Sequence, residues 1–522
     1  MEFFRKTLRG IKPPGYVVAS SVISIGGMLN GYDTGSIGAV TEMPYFLRTF
    51  GHFTPFIRGF TVSLIMLAGA CPAFFAGQLA DRFGRLRITM IGALVFVVGA
   101  ALEGGAYNFP MFLVGRALCG LGQGVWLSNV SVYICEIAPS ARRGMLVSAP
   151  QLMCTAGICL GYFTCYGSVR MDSTMSWRIP YIFQAVGGLL LAAACCFLPE
   201  SPRWLLLNNR RDEAMRNLER LDFSRTEAEK DFLNATEQAA LSKSTTEGLL
   251  LVFRRQYRSR TILGLFVLGM MQLSGIDAVL YYAPTLFAQA GLPNQTASFL
   301  ASGVSAILML AISIPALLLA DKWGRRTSAI SGGLALSSCM IVIGSLYASK
   351  VVHPEGAGKW FVIVLIFAFA LTYCFTWAVV GKIYASEIQP GNTRAAANCL
   401  AQGLSFFTNW LVAIISPVLL ASSSSGAYFL FGCLALGTVA VLAACMPETR
   451  SLSLESIQDA FQRPPMRSSL HHLRRSFFSS SSKTSSASTM QDATELTAFE
   501  DSEAAVTVRS SIQISAALRT TI

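Results

Sequence analysis

Charge is scarce in this chain. Asp, Glu, Lys and Arg make up 13% of its 522 residues against 53% hydrophobic, where a soluble domain carries about 25% charged residues. That shortage excludes an ordinary soluble globular protein. The 13 cysteines lack the spacing of a metal site; most lie inside apolar runs, as Cys71, Cys119, Cys195, Cys196 and Cys433 do, and read as small apolar packing residues. No nucleophile–base pair, phosphate loop or metal set stands out, so neither an enzyme nor a cofactor is expected. Met1 to Lys12 is basic, but the apolar run after it lacks a small-residue cleavage site and continues as a span, which argues against a cleavable signal peptide.

Apolar runs of about 20 residues, each long enough to cross a bilayer as a helix, are plentiful and group into about twelve spans. An all-α membrane protein is therefore expected. Its net charge of +12 could suggest nucleic acid, but the basic residues cluster at alternate span junctions: Arg82, Arg85 and Arg87, then Arg142 and Arg143, then the loop at 200–260, then Lys322, Arg325 and Arg326. By the positive-inside rule that end is cytoplasmic, with both chain termini. The expected organisation is a cytoplasmic N-terminus (1–16), a six-helix bundle (17–198), a helical linker (199–260), a second six-helix bundle (261–445) and a Ser-rich tail (446–522).

The chain is organised around M-Q-L-S-G-I-D-A-V-L-Y-Y-A-P, Met271 to Pro284, inside the apolar segment 261–290. Gln272, Ser274, Asp277, Tyr281 and Tyr282 do not belong against lipid, and Gly275 with Pro284 marks a helix that bends or breaks at mid-depth. The economical reading is one wall of a wet cavity. In the first span Asp33 stands in N-G-Y-D-T-G, and its natural partner is Arg116, in the Gly-rich stretch G-R-A-L-C-G-L-G-Q-G. A carboxylate beside a guanidinium keeps its charge; withdraw the guanidinium or dry the site and it takes up a proton, so protonation can follow conformation. A permanent structural salt bridge is the alternative.

One loop pattern occurs twice, as Gly77-Gln-Leu-Ala-Asp81-Arg82-Phe-Gly-Arg85 and as Leu319-Ala-Asp321-Lys-Trp-Gly-Arg325-Arg326. Equivalent places in two six-span halves make it an internal repeat. Glu136 has its counterpart in Glu387, each followed by Arg (Arg142 and Arg143, or Arg394). A network of inter-half ion pairs at this end would close it and break on opening; single exposed pairs are worth too little.

With P-E-S-P-R-W-L at Pro199 to Leu205 and P-E-T-R-S-L-S-L-E at Pro447 to Glu455, the chain resembles the sugar porter family of the major facilitator superfamily over about residues 15–460. The resemblance implies two six-helix bundles rocking about a central site, joined by a small helical domain. Gln151, Gln272 and Asn409 fall where similar transporters place sugar-contacting amides, and Tyr281 and Tyr282 match the tyrosines of an outer gate. The chain departs from the family pattern at three places, five residues in all. Met271 stands where a first Gln is common and Asp277 where Asn is; Ala378, Val379 and Lys382 replace a Gly-Pro followed by Trp. An acid and a base thus face the expected cavity. The simplest account pairs Asp277 with Lys382, since each alone is an unneutralised buried charge; the livelier one has Lys382 hold a substrate carboxylate.

The expected function is secondary transport of a sugar or sugar-like compound by proton symport, with Asp33 as proton acceptor and Arg116 as its modulator. Rivals are transport of a sugar acid, cyclic hydroxy acid or specialised metabolite in either direction, and a transporter-like nutrient receptor signalling through its tail. Expected partners are the small-molecule substrate, carboxylated in the rival reading, protons and the lipid bilayer; no nucleic acid is expected. The tail reads as disordered, with its serines as phosphorylation targets or as plain solvated chain. Asn294-Gln295-Thr296 is a glycosylation sequon on the outer side.

Overall fold

A computed structural model describes residues 13–139, 142–223, 252–255, 257–292, 295–319, 323–352, 356–389, 394–423, 425–449 and 461. All but Phe461 lie in one compact unit, Met1–Gln458; of the second unit, Asp459–Ile522, Phe461 alone is described. Asp321, Asn294 and most of the tail fall outside the described residues, as do the side chains of Arg143 and Arg394.

Among the described residues there is no strand, and the helices form twelve spans. The first runs as Gly15–Ile23 and Ile25–Val40. The second to sixth are Pro55–Phe83, Arg85–Gly104, Phe109–Ile137, Arg143–Ser168 and Met175–Phe197. The seventh is broken into Arg258–Gln272, Ile276–Tyr281 and Ala283–Gln289. The eighth and ninth are Gln295–Leu319 and Arg325–Ala348, and the tenth is broken into Ala357–Phe375 and Trp377–Glu387. Arg394–Ser422 and Gly426–Cys445 complete the set. Ten of these helices are long and apolar enough to cross a membrane; the split first span and the fourth, which carries Arg116, Gln123 and Asn129 in its interior, are the other two.

Each half packs chiefly on itself, and the halves meet where the second span lies along the eleventh and the fifth along the eighth. Small residues set the close approaches. Gly27, Gly31 and Gly35 of the first span lie against the backbone of Pro150, Cys154 and Ile158 in the fifth, so any Cβ there would strike a carbonyl group. In lipid, where apolar side chains gain little by clustering, such backbone proximity is a main source of helix association.

The break in the seventh span has a local cause. Gly275 takes φ +87°, the left-handed region, and a Cβ there would sit 2.6 Å from the Phe431 ring. Pro284 sits in the first turn of the following short helix, Ala283–Gln289, where its missing N–H costs nothing.

At the Arg-rich end the two halves repeat one arrangement. Glu200 accepts from the backbone N–H groups of Arg85 and Leu86 at the start of the third span (3.2 and 3.3 Å), and Glu448 does so for Arg325 and Arg326 at the start of the ninth (2.7 and 3.1 Å). The Tyr133 hydroxyl donates to the Pro199 carbonyl at 2.6 Å, as Tyr384 does to Pro447 at 3.4 Å. A carboxylate at a helix N-terminus answers both the unpaired donors and the dipole. The short linker helices Pro202–Leu207 and Arg211–Arg220 pack beneath: Trp204 donates its indole N–H to the Asp81 carbonyl at 2.8 Å, and Gly15 N–H donates to the Asp222 carboxylate at 2.7 Å.

Candidate functional site: a charged central cavity beside a buried ion pair

Between the halves lies a cavity of about 840 Å³, its open mouth included, lined by side chains from both. It gathers five of the expected substrate residues: Gln151, Gln272, Asp277, Lys382 and Asn409. Breaking the seventh span lets Gln272 and Asp277, on successive segments, reach the same space, and the break at Thr376 does the same for Tyr373 and Lys382 in the tenth. The Tyr373 hydroxyl donates to Gln272 Oε1 at 3.0 Å.

The expected Asp277–Lys382 pair is not formed. The Lys382 ammonium reaches instead across the seam to Gln151 Oε1, 2.5 Å away, while Asp277 is 6% exposed and its Oδ2 has no hydrogen-bond partner. Asn409 Oδ1 is likewise unpartnered. The cavity therefore holds one exposed cation and one buried acid, each open to an incoming polar group.

A second chamber shares Asn30, Gln151 and Lys382 with the first and extends past Ser131, Cys135, Ala385 and Asn398 toward the Arg-rich end. The opposite end is shut. Tyr281 and Tyr282, each 1% exposed, line neither chamber but close the roof: Tyr281 backbone lies on Gly38, and the Tyr282 hydroxyl donates to the Ala413 carbonyl at 2.8 Å. Tyr162 donates to the Leu280 carbonyl from the facing half. Outside them Arg58 binds Glu42 at 2.5 Å and Thr285 Oγ1 at 3.0 Å, with its guanidinium 5.3 Å from the Tyr282 ring. Sequence reasoning passed over this latch because Glu42 and Arg58 flank a loop, where charges need no explanation.

Beside the cavity, wholly buried, sits the pair read from sequence. Arg116 Nη1 lies 2.5 Å from Asp33 Oδ1 and Nη2 3.4 Å from Oδ2, and Nη2 also donates to the Val62 carbonyl at 3.0 Å. Gln184 adds a donor to Asp33 Oδ1 at 3.1 Å. A second carboxylate, Glu103, also 0% exposed, stands 3.7 Å from Arg116 Nη1. It ends the third span in A-L-E-G-G, where an acid looks like an ordinary membrane-edge charge.

The residues expected at the cytoplasmic gate form pairs within each half. Arg85 binds Glu136 at 2.9 Å and Asp81 at 2.5 Å; Arg325 binds Glu387 at 3.0 Å, and Thr449 also donates to Glu387 at 3.1 Å. Arg82 is exposed, its guanidinium 5.3 Å from the Phe83 ring, and Arg142 donates to the Tyr16 hydroxyl at 3.3 Å. Each of these ion pairs lies within its own half, so they brace the halves rather than join them. Glu200, outside the spans, is pushed above the ordinary carboxylate value by burial, against the pull of its backbone donors.

The family model described as "Sugar (and other) transporter" matches residues 19–461. MFS-type transporter criB of Aspergillus cristatus is 31% identical over 452 residues, 85% of this chain and 93% of that protein. Sugar transport protein MST3 of Oryza sativa subsp. japonica is 28% identical over 463 residues, 84% and 88% of the two chains. Among solved structures, the proton:xylose symporter XylE bound to 6-bromo-6-deoxy-D-glucose matches with a TM-score of 0.70 at 23% identity, covering 85% of this chain and 99% of that one. That likeness establishes the fold: twelve helices in two six-helix bundles, the major facilitator fold.

Proposed function

Because this chain belongs to the sugar (and other) transporter family, we propose that it carries a sugar or sugar-like compound across a membrane together with protons, by alternating access. It acts as a carrier, not an enzyme or a receptor. The observation that supports this reading is the amide-lined cavity between the two halves, shut at one end and opening toward the other, with the Asp33–Arg116 pair sealed beside it. Gln151, Gln272 and Asn409 supply donors and acceptors for ring hydroxyls. Asp33 takes the proton when Arg116 is drawn away. By the positive-inside rule the cavity opens to the cytoplasm and both termini lie there; the resemblance to sugar porters makes the plasma membrane the default compartment.

The unpaired charges of the cavity favour a second reading of the substrate: a polyhydroxylated compound carrying a carboxylate, held by Lys382, with Asp277 receiving a hydroxyl. Uptake in a host lacking its own carriers, across neutral sugars, polyols and sugar acids with and without a protonophore, tests both. Concentrative uptake abolished by the protonophore is expected. Asp33→Asn should retain exchange and lose accumulation at least about tenfold, about 1.4 kcal/mol of lost driving force; full accumulation by that variant refutes the coupling role.

A further inference from the structure

The sealed pocket beside the cavity contains more acid than base. Asp33 and Glu103 are two carboxylates, Arg116 is the one guanidinium between them, and all three are 0% exposed. The other titratable groups facing Glu103 are Cys119 of the fourth span and Tyr181 of the sixth, and neither brings a positive charge. Tyr181, which faces the pocket, belongs to an aromatic cluster: Tyr181 and Phe112 are 5.6 Å apart, Phe112 and Phe46 5.4 Å, Phe46 and Trp177 5.6 Å, each between ring centroids.

The two acids are served unequally. Asp33 receives both Arg116 terminal nitrogens and the Gln184 amide. Glu103, laid flat against Gly115, has no hydrogen-bond partner on either oxygen, and its one charge contact with Arg116 is 3.7 Å long. With both acids ionised the pocket would hold a net negative charge, and the Glu103 carboxylate would be dry and without a hydrogen bond, at a cost of several kcal/mol. A proton removes that cost by binding the carboxylate that has no donors.

We propose that Glu103 is a second proton-binding carboxyl of the coupling site, protonated while Arg116 is bound to Asp33 and ionised when Arg116 turns to it. As Arg116 turns, Glu103 releases one proton and Asp33 takes one up, each exchanged with water through whichever route the conformation opens; no other bond changes. Arg116 then works as a switch between two acids rather than as the permanent mate of one. Its place in the transport cycle rests on the proton-coupled reading above, but the protonation itself is measurable without transport.

The test is infrared spectroscopy of the purified full-length chain in phosphatidylcholine vesicles at pH 7. Subtracting Glu103→Gln from the parent protein should leave the C=O stretch of a protonated carboxyl. A carboxylate band in its place overturns the proposal. In the Asp33→Asn background, where Arg116 has lost its first partner, the same subtraction should leave a carboxylate band. Persistence of the acid band there means that Glu103 is a fixed neutral group, which also overturns the proposal. Should the Gln variant fail to fold, Glu103→Asp moves the band and serves the same subtraction. Uptake insensitive to a protonophore, with both infrared results as expected, would instead defeat the symport reading and leave the proton assignment standing.

Discussion

Asp33 was legible in the sequence because a buried acid in a span needs a cation, and Arg116 was the natural one; the two meet at 2.5 Å. The charges of the cavity were legible as charges and not as a pattern. Asp277 and Lys382 were expected to neutralise one another, yet Lys382 spans the seam to Gln151. Sequence gives the helix that a charge sits on but not how far its side chain reaches, and a lysine with four methylenes reaches past the nearest acid. If this cation and this acid select the substrate, Lys382→Trp with Asp277→Asn should shift uptake toward neutral hexoses, by about tenfold or more in the ratio of neutral to acidic substrate, which is about 1.4 kcal/mol. An unchanged ratio across the substrate panel would mean that neither charge touches cargo.

Helices show which sequence signals survive folding. The broken seventh span was readable because Gly275 and Pro284 announce it. The break in the tenth at Thr376 (φ −116°, ψ −77°) carries no glycine or proline of its own, so nothing local betrays it. Replacing Gly275 with Ala forces a Cβ into the left-handed region and onto Phe431; a loss of about 1–3 kcal/mol is expected, read as a lower melting temperature in detergent. The capping of the third span by Glu200 makes a pH-dependent prediction. Its part-buried carboxyl titrates above the ordinary value of 4.5, so its contribution favours the folded state at low pH and is lost as pH rises from there through the raised value. Glu200→Gln should flatten that part of the stability curve, measured as melting temperature against pH.

For the whole molecule, the paired loop motifs announced two matching halves, and the fold has them. What the motifs could not tell was which partner each charge would take. Arg85 and Arg325 each bind the glutamate of their own half, Glu136 and Glu387, because each motif folds against the helices of its own repeat. The latch at the far end does join the halves, through Arg58 to Thr285. Arg58→Ala removes its ion pair with Glu42, a hydrogen bond and a ring contact. For a partly exposed group this is worth about 1 kcal/mol, or about fivefold in the balance of conformers. Cysteine labelling at the closed end should accelerate by about that factor; an unchanged rate would show that the tyrosine roof alone holds it shut.

The carboxylates at 200 and 448 have a mechanical corollary. Each fastens the strand of chain departing a bundle back onto that bundle's own third helix, so either half is buckled into a stiff block before the other is considered. Play is left to the joint where the blocks abut. One covalent staple across that joint, between the second and eleventh spans, should freeze the carrier, whereas a staple of equal length inside a block should pass unnoticed.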